Sequence, residues 1–311
     1  MRDAFIKALI ELAKRDNNVE LITGDLGFGV LKPYWDCLPN QFTNVGIAEQ
    51  NMTSVAAGMA LEGKTVFTYS IGNFPTLRCL EQIRNDCAYH DANVKIICVG
   101  GGFAYGALGM SHHATEDIAI MRSLPNIVVM APADITETIE ATKAIYQYKG
   151  TCYLRLGRGG EKQFHTYIEN FNIGKALQIK KGDNVALFST GAIIDEVIKA
   201  DEILTENGIN SSIYTFPTIK PIDEDCIIKC SKKHALIVTV EEHNVIGGFG
   251  SAVAEIVSEL NGKKAIMLKI GINDVYSSMV GSQLYLRSYY GIDAKAIAEK
   301  TISIMKNLNN K

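Results

Sequence analysis

The feature that most narrows what this chain can fold into is a sustained alternation between short apolar runs and segments with apolar residues at helical spacing. Phe5, Ala8, Leu9, Leu12 and Ala13 share one helical face, and Val19 to Thr23 is an apolar run ending in Gly24-Asp25. The spacing predicts a helix, a strand and a glycine-containing loop. Phe42 to Val45 reads as the next strand, and Met52, Val55, Ala56, Met59 and Ala60 as one face of a helix that stops at Gly63. Strands follow at Thr65 to Tyr69, Val94 to Gly100, Asn126 to Met130 and Thr151 to Leu156, with helices at Thr76 to Ala88 and Thr115 to Ser123. This alternation implies an α/β fold with a mostly parallel sheet covered on both faces.

Between Gly157 and Gly182 the pattern dissolves into polar, charged and aromatic residues, the composition of a linker. A second unit then begins, with strands at Val185 to Thr190, Ser211 to Thr215, Ala235 to Thr239 and Ala265 to Lys269. Its helices fall near Ile193 to Glu206, Gly250 to Leu260 and Ala294 to Ile304. The chain of 311 residues is long enough for two domains at roughly 150 residues each. The expected division is one α/β domain over 1–165, a linker over 166–182 and a second α/β domain over 183–311.

Composition excludes several function classes. With 31 Lys and Arg against 34 Asp and Glu, the formal charge is −3, and no block of five like charges occurs. No electrostatic footprint for nucleic acid is present. No apolar run reaches the roughly 18 residues of a membrane span, and Met1 leads straight into an amphipathic pattern. The expectation is a soluble, cytoplasmic protein. Seven cysteines are present with no CxxC pair, so reduced and mostly buried thiols are expected. The Cys226 to Cys230 gap is too wide for a zinc knuckle without a second pair.

In open α/β sheets ligands bind beyond the carboxyl ends of the strands, and three loops stand there. In Val45-Gly46-Ile47-Ala48-Glu49-Gln50-Asn51 a carboxylate sits where a strand turns into a helix, and the helix amide ends favour its charge. Spacing alone suits a simple helix-start acid equally well. The run from Gly100 to His113 carries five glycines in its first ten residues, followed by His112 and His113. It lets backbone approach a ligand and supplies acid–base candidates, or else packed polar side chains. Leu154-Arg155-Leu156-Gly157-Arg158 ends a strand with two arginines, either an anion-binding fork or a solvated strand end. In the second unit, Glu241-Glu242-His243-Asn244 before Gly247-Gly248-Phe249-Gly250 fits no dinucleotide fingerprint and reads as a structural turn.

Four ordered motifs carry a family resemblance. Gly46-Ile47-Ala48-Glu49-Gln50-Asn51, Glu81-Gln82-Ile83-Arg84-Asn85, Ser111-His112-His113-Ala114-Thr115-Glu116-Asp117-Ile118-Ala119 and Pro132-Ala133-Asp134 resemble the pyrimidine-binding domain of transketolases. Val240-Glu241-Glu242-His243 with Gly247 to Glu255 looks like the transketolase C-terminal domain, so the resemblance covers nearly the whole chain. Family members hold the diphosphate of thiamine diphosphate through magnesium on a separate domain with a Gly-Asp-Gly motif, which this chain lacks. The resemblance therefore implies the C-terminal subunit of a split transketolase. A separate N-terminal, diphosphate-binding subunit would hold the magnesium, in an α2β2 assembly.

The resemblance also implies roles. Glu49 matches the glutamate that hydrogen-bonds the pyrimidine nitrogen and favours the tautomer that generates the cofactor's ylid. Phe74 stands where an aromatic stacks on the pyrimidine, with Asp25 and Ile71 at cofactor-lining positions. Ile71 replaces a common Phe. His112 matches the histidine that contacts donor oxygens, and Arg2 and Arg158 match phosphate anchors. Departures bear on the substrate. Leu108 replaces a carboxylate that touches sugar hydroxyls, Gly100 replaces a histidine and Gly29 a phosphate-contacting serine, which points to a modified or unusual sugar. The implied activity is transfer of a two-carbon ketol unit from a ketose or ketose phosphate to an aldose. Alternatives are the β subunit of a 2-oxoacid decarboxylase, a deoxyxylulose-phosphate-synthase-like enzyme with pyruvate as donor, and a non-catalytic scaffold partner.

Overall fold

The structure is a computed structural model describing residues 1–309. Its first half runs α1 (Arg2–Ala13), β1 (Val19–Thr23), α2 (Phe28–Cys37), β2 (Phe42–Asn44), α3 (Glu49–Leu61), β3 (Thr65–Ile71), α4 (Leu80–Gln82), β4 (Val94–Val99), α5 (Asp117–Ser123), β5 (Ile127–Met130), α6 (Ile135–Gln147) and β6 (Thr151–Leu156). The second half runs β7 (Leu177–Lys180), β8 (Val185–Ser189), α7 (Ile194–Glu206), β9 (Ser211–Thr215), β10 (Thr218–Lys220), α8 (Glu224–Lys233), β11 (Leu236–Asn244), α9 (Phe249–Glu259), β12 (Ile266–Ile272), α10 (Gln283–Tyr289) and α11 (Ala294–Asn309).

Two sheets result, one of seven strands in the order β10-β5-β6-β4-β3-β1-β2 and one of five in the order β12-β11-β8-β9-β7. All pairings are parallel except β10 with β5 and β7 with β9. Strands β1, β4, β5, β6 and β8 are buried at every position, as required of parallel strands with helices on both faces. The loops after β1, β2, β3, β4 and β6 leave the same edge of the first sheet, because those strands are mutually parallel. That edge is where the sequence places its candidate chemistry.

Three expectations need correction. Residues 166–182 are not wholly linker, since β7 lies within them and pairs with β9. Its polar composition hid it, because an edge strand buries little. Strand β10, from the second half, joins the first sheet and pairs antiparallel with β5, Thr218 opposite Met130. The single helix expected over Thr76 to Ala88 is a 3-10 turn at Leu77–Cys79, the one turn of α4 and a π-helical stretch Ile83–Ala88. The wider π turn keeps Cys79, Ile83 and Cys87 all facing the core. Glu241, Glu242 and His243 form no turn but are buried residues of the nine-residue strand β11.

Of the seven cysteines, Cys79, Cys87, Cys98, Cys152 and Cys230 are buried, Cys226 is half-buried and Cys37 exposed, and all are free thiols. No helix among the described residues is long and apolar enough to cross a membrane.

The two sheets share one continuous core in which Phe216, from the connection after β9, packs against Phe188 and Phe249 at ring-centroid distances of 4.8 and 5.1 Å. Burying each such ring contributes about 1.5–3 kcal/mol. The polar counterpart is Arg155 on β6, expected from sequence either as an anion fork or as a solvated strand end and found buried. Its Nε donates to Asp117 Oδ2 at 2.8 Å, and its Nη2 donates to the carbonyls of Ala114 at 2.7 Å and Glu242 at 3.0 Å. The Tyr153 hydroxyl donates to the same Asp117 oxygen at 2.6 Å. Burial works against a charge on Arg155, but Asp117 more than offsets it and raises the guanidinium pKa above its usual value. Burial, followed by Asp117, likewise pushes the Tyr153 phenol well up.

Removing one member of a buried pair leaves the other uncompensated. Asp117→Ala is expected to cost the folded chain about 3–5 kcal/mol, read from urea denaturation. A loss no larger than that of a surface substitution would show that Arg155 finds water instead.

Candidate active site

The site grows from five adjacent loops at the carboxyl edge of the first sheet, those after β1, β2, β3, β4 and β6. After β1 the chain turns at Asp25, whose φ of 57° is left-handed and is stabilised by Asn44. The Asp25 and Gly46 amides both donate to Asn44 Oδ1 at 3.0 Å, and Asn44 Nδ2 returns a bond to Asp25 Oδ1 at 3.0 Å. The loops after β1 and β2 are thereby stapled together. Gly24 is small for a reason, since an added Cβ would lie 3.4 Å from both Glu49 Cγ and the Gly46 carbonyl.

Glu49 is the first residue of α3 and is 3% exposed. No side chain caps this helix, and a negative charge in its first turn is favoured by the unpaired amide ends there. Its Oε2 accepts from Arg78 Nη1 at 2.8 Å. The Arg78 guanidinium also lies over the Phe74 ring, 4.8 Å from its centroid, a contact worth about 0.5–1 kcal/mol at an exposed site. Phe74 in turn meets the His112 ring edge-on at 5.2 Å. His112 lies 6.4 Å from Tyr105, and Tyr105 carries the Arg158 guanidinium over its face at 5.0 Å.

Glu49, Phe74, His112 and Arg158, taken from four loops, therefore form one contiguous row through two residues that sequence reasoning missed, Arg78 and Tyr105. Arg78 stands four positions beyond Phe74, a helical spacing that could have flagged it, whereas nothing marked Tyr105 except its place among the glycines. Ile71 ends β3 and accepts the Phe74 amide at 3.0 Å, so it sets that ring's position through backbone. Asp25 is exposed and joins the row only through Asn44 and Gly24. Arg2, half-buried, pairs with Asp3 at 3.3 Å and interacts electrostatically with Tyr105. It also lines an open groove of about 550 Å³ with Lys7, Gly29 and Pro33.

Ser111 Oγ lies 3.0 Å from His112 Nδ1. Asn73 Nδ2 donates to the His113 carbonyl at 2.8 Å, tying the β3 loop to the histidine pair. His113 itself is buried against the Gly106 carbonyl and Phe103. At Gly100 (φ 93°) an added Cβ would lie 2.2 Å from the Tyr105 ring, so the aromatic fills the space a side chain there would need. Among the described residues no group of three or more His, Cys, Asp or Glu is placed to hold a metal ion.

Comparison with known proteins places this chain in a family. Residues 1–160 match the family described as transketolase, pyrimidine binding domain, and residues 174–297 match transketolase, C-terminal domain. The chain belongs to the transketolase family, and is a transferase of that type. It is 42% identical over 309 residues to a transketolase C-terminal section from Methanocaldococcus jannaschii, covering 98% of this chain and 96% of that protein. It is 34% identical to a subunit of the apulose-4-phosphate transketolase of Phocaeicola vulgatus, covering 98% and 97%. A solved structure described as split gene transketolase, inactive beta4 tetramer, superposes with a TM-score of 0.88 at 34% identity, covering 98% of this chain and 97% of that one.

The contact between Gly100 and Tyr105 yields a test of how the loop departs from other transketolases. Gly100→His is expected to destabilise the chain by about 1–3 kcal/mol, and Tyr105→Ala in the same chain to recover part of that loss. Thermal denaturation of the two single variants and the double variant measures the coupling. Strict additivity would mean that the ring does not hold that space.

Proposed function

We propose that this chain is the C-terminal, pyrimidine-binding subunit of a thiamine-diphosphate-dependent transketolase. In this reading it moves a two-carbon ketol unit from a ketose to an aldose acceptor, and a separate subunit holds the diphosphate and its magnesium, in an α2β2 complex. The observation that carries the reading is the convergence of Glu49, Phe74 and His112 on one stretch of the sheet edge. Its support from relatives is that those spanning this chain's full length include one subunit of an apulose-4-phosphate transketolase and a split-gene chain whose beta4 tetramer is described as inactive. The division into a pyrimidine-binding domain over 1–165, a linker over 166–182 and a C-terminal domain over 183–311 belongs to the same proposal, with β7 placed in the linker's closing residues.

The residues fit the cofactor's aminopyrimidine. Such a ring asks for an aromatic face and a buried carboxylate acceptor, and Arg78 draws on both, its flat cation stacked on Phe74 and bonded to Glu49. When bound, thiamine diphosphate supplies a carbon nucleophile that adds to the donor's carbonyl. Glu49 holds a proton at the pyrimidine nitrogen, and its burial makes that hydrogen bond stronger than it would be in water. Phe74 presents its face to the ring, while Ile71 and Asp25 line the approach. Ser111 Oγ lies 3.0 Å from His112 Nδ1, and in the tautomer in which the hydroxyl donates to Nδ1, Nε2 carries the hydrogen and donates to the donor's oxygens. Arg158, over the Tyr105 ring, and Arg2 offer cations to a terminal phosphate.

Leu108 is 57% exposed at the end of a 3-10 turn and brings no hydrogen-bonding group to a sugar. Together with the relative named for apulose 4-phosphate, this favours a modified ketose phosphate as donor. Pyruvate, the donor of the 2-oxoacid decarboxylase and deoxyxylulose-phosphate-synthase alternatives, carries neither a phosphate nor a hydroxyl chain, so as a donor it would leave Arg2 and Arg158 unused.

Calorimetric titration of thiamine diphosphate with magnesium tests the proposal. Binding near micromolar, about −8 kcal/mol, is expected in the complex with the diphosphate-binding subunit and not in this chain alone. Absence of binding in both would leave the scaffold reading. In the complex, Glu49→Gln is expected to lower ketol transfer by at least about 100-fold with the melting temperature unchanged, measured with ketose donors and with pyruvate in parallel. Turnover of pyruvate alone would transfer the assignment to the decarboxylase class.

A further inference from the structure

We infer that Glu242, on β11 of the second sheet, is a positioning residue for the loop that carries His112, a role that rests on the reading of His112 as a substrate contact. Glu242 is a buried carboxylate, 4% exposed, that serves several elements at once. Its Oε1 accepts the Phe103 backbone amide at 2.6 Å and Gln283 Nε2 at 2.9 Å, and its Oε2 accepts Arg287 Nε at 2.7 Å. Arg287 is itself buried, and its Nη2 reaches the Ala192 carbonyl at 3.3 Å. A charge so enclosed needs all of these donors, so the loop cannot move off Glu242 without leaving a buried oxygen unpaired.

The loop is shaped around that carboxylate. Gly102 has a φ of +64°, and an added Cβ would lie 2.5 Å from Glu242 Cγ, so glycine is needed both for the turn and for the close approach. From Gly102 the link to the histidines is short. Gly102 and Ala114 exchange backbone bonds, 2.8 Å from the Gly102 amide and 3.0 Å from the Ala114 amide. Phe103 meets His113 edge-on at 5.1 Å, and the His113 ring bonds the Gly106 carbonyl at 3.1 Å. The second half adds two further ties, Gly281 amide to Gly106 carbonyl at 3.3 Å and Asn244 amide to Thr115 carbonyl at 2.8 Å. The segment from 101 to 115 is thus held at both ends and in the middle by the carboxyl-terminal half of the chain, with His112 between the anchors. This assigns the second sheet a part in the reaction: it sets where the His112 ring stands relative to Phe74.

The test uses the complex with the diphosphate-binding subunit and the variant Glu242→Gln, which keeps the side chain's shape but leaves one acceptor oxygen where two are needed. Hydrogen exchange at the Phe103 and Ala114 amides is expected to rise about tenfold as the loop opens locally. The kcat/KM for the ketose donor is expected to fall about 10- to 100-fold, as a misplaced contact demands. Affinity for thiamine diphosphate, to which Glu49, Phe74 and the diphosphate-binding subunit contribute, should stay as in wild type, a split that general loss of structure would not produce. Should Glu242→Gln fail to fold, Gln283→Ala weakens the same cluster from its half-exposed side and is read in the same way, with smaller effects. Unchanged exchange over 101–115 overturns the inference, and so does faster exchange with unchanged kcat/KM. A wild-type complex with no ketol transfer would instead sink the functional reading, while the exchange measurement still decided whether Glu242 clamps the loop.

Discussion

One buried guanidinium ties the two halves of this chain to each other. Arg155 stands on a central strand of the first sheet, faces Asp117 at the start of α5 and reaches the main chain of β11 in the second sheet. The arrangement is costly to desolvate and stable only when complete, which is the condition under which a buried ion pair specifies a single arrangement of parts. The Ala114 carbonyl is among its acceptors, so the same residue that joins the sheets also fixes the backbone two positions beyond His112. Interdomain geometry and site geometry are one constraint here.

The candidate site is built on one edge of the first sheet. Its carboxylate, aromatic and histidine come from loops on one sheet edge, and the polar demand of Glu49 is met by Arg78. An arginine is well suited to this, since its planar cation satisfies a ring face and a carboxylate together. Such a surface stays satisfied before any ligand arrives, and a ligand of similar shape and charge would replace the arginine's contacts rather than create a new set.

Legibility from sequence followed how local each cause is. The fully buried strands β1, β4 and β8 stood out because their runs are dominated by apolar and small residues, and α3 because its buried face repeats at helical spacing. Helix α2 was not visible, since Pro33 interrupts its pattern, and neither was β10, whose three residues Thr218–Lys220 gain meaning only from pairing with β5. Glu49 and His112 were readable through family motifs. Arg78, Tyr105 and Glu242 were not, because their roles arise from long-range approach: a 3-10 turn whose arginine reaches back to Phe74 and Glu49, a loop that curls back over Gly100, and a strand from another sheet. Arg155 shows the same limit, as nothing beside it in sequence announces that Asp117 will neutralise it.

The placement of β10 has a consequence for how the protein is made. The seven-stranded sheet takes its last member from residues that follow more than 60 positions after β6, so when the amino-terminal half has emerged from the ribosome the outer side of β5 still offers unpaired backbone groups. Only when Thr218–Lys220 arrives is that edge closed. Until then the nascent chain carries the kind of open strand that invites pairing with other chains, and the completion of the second half acts as the quality gate for the first.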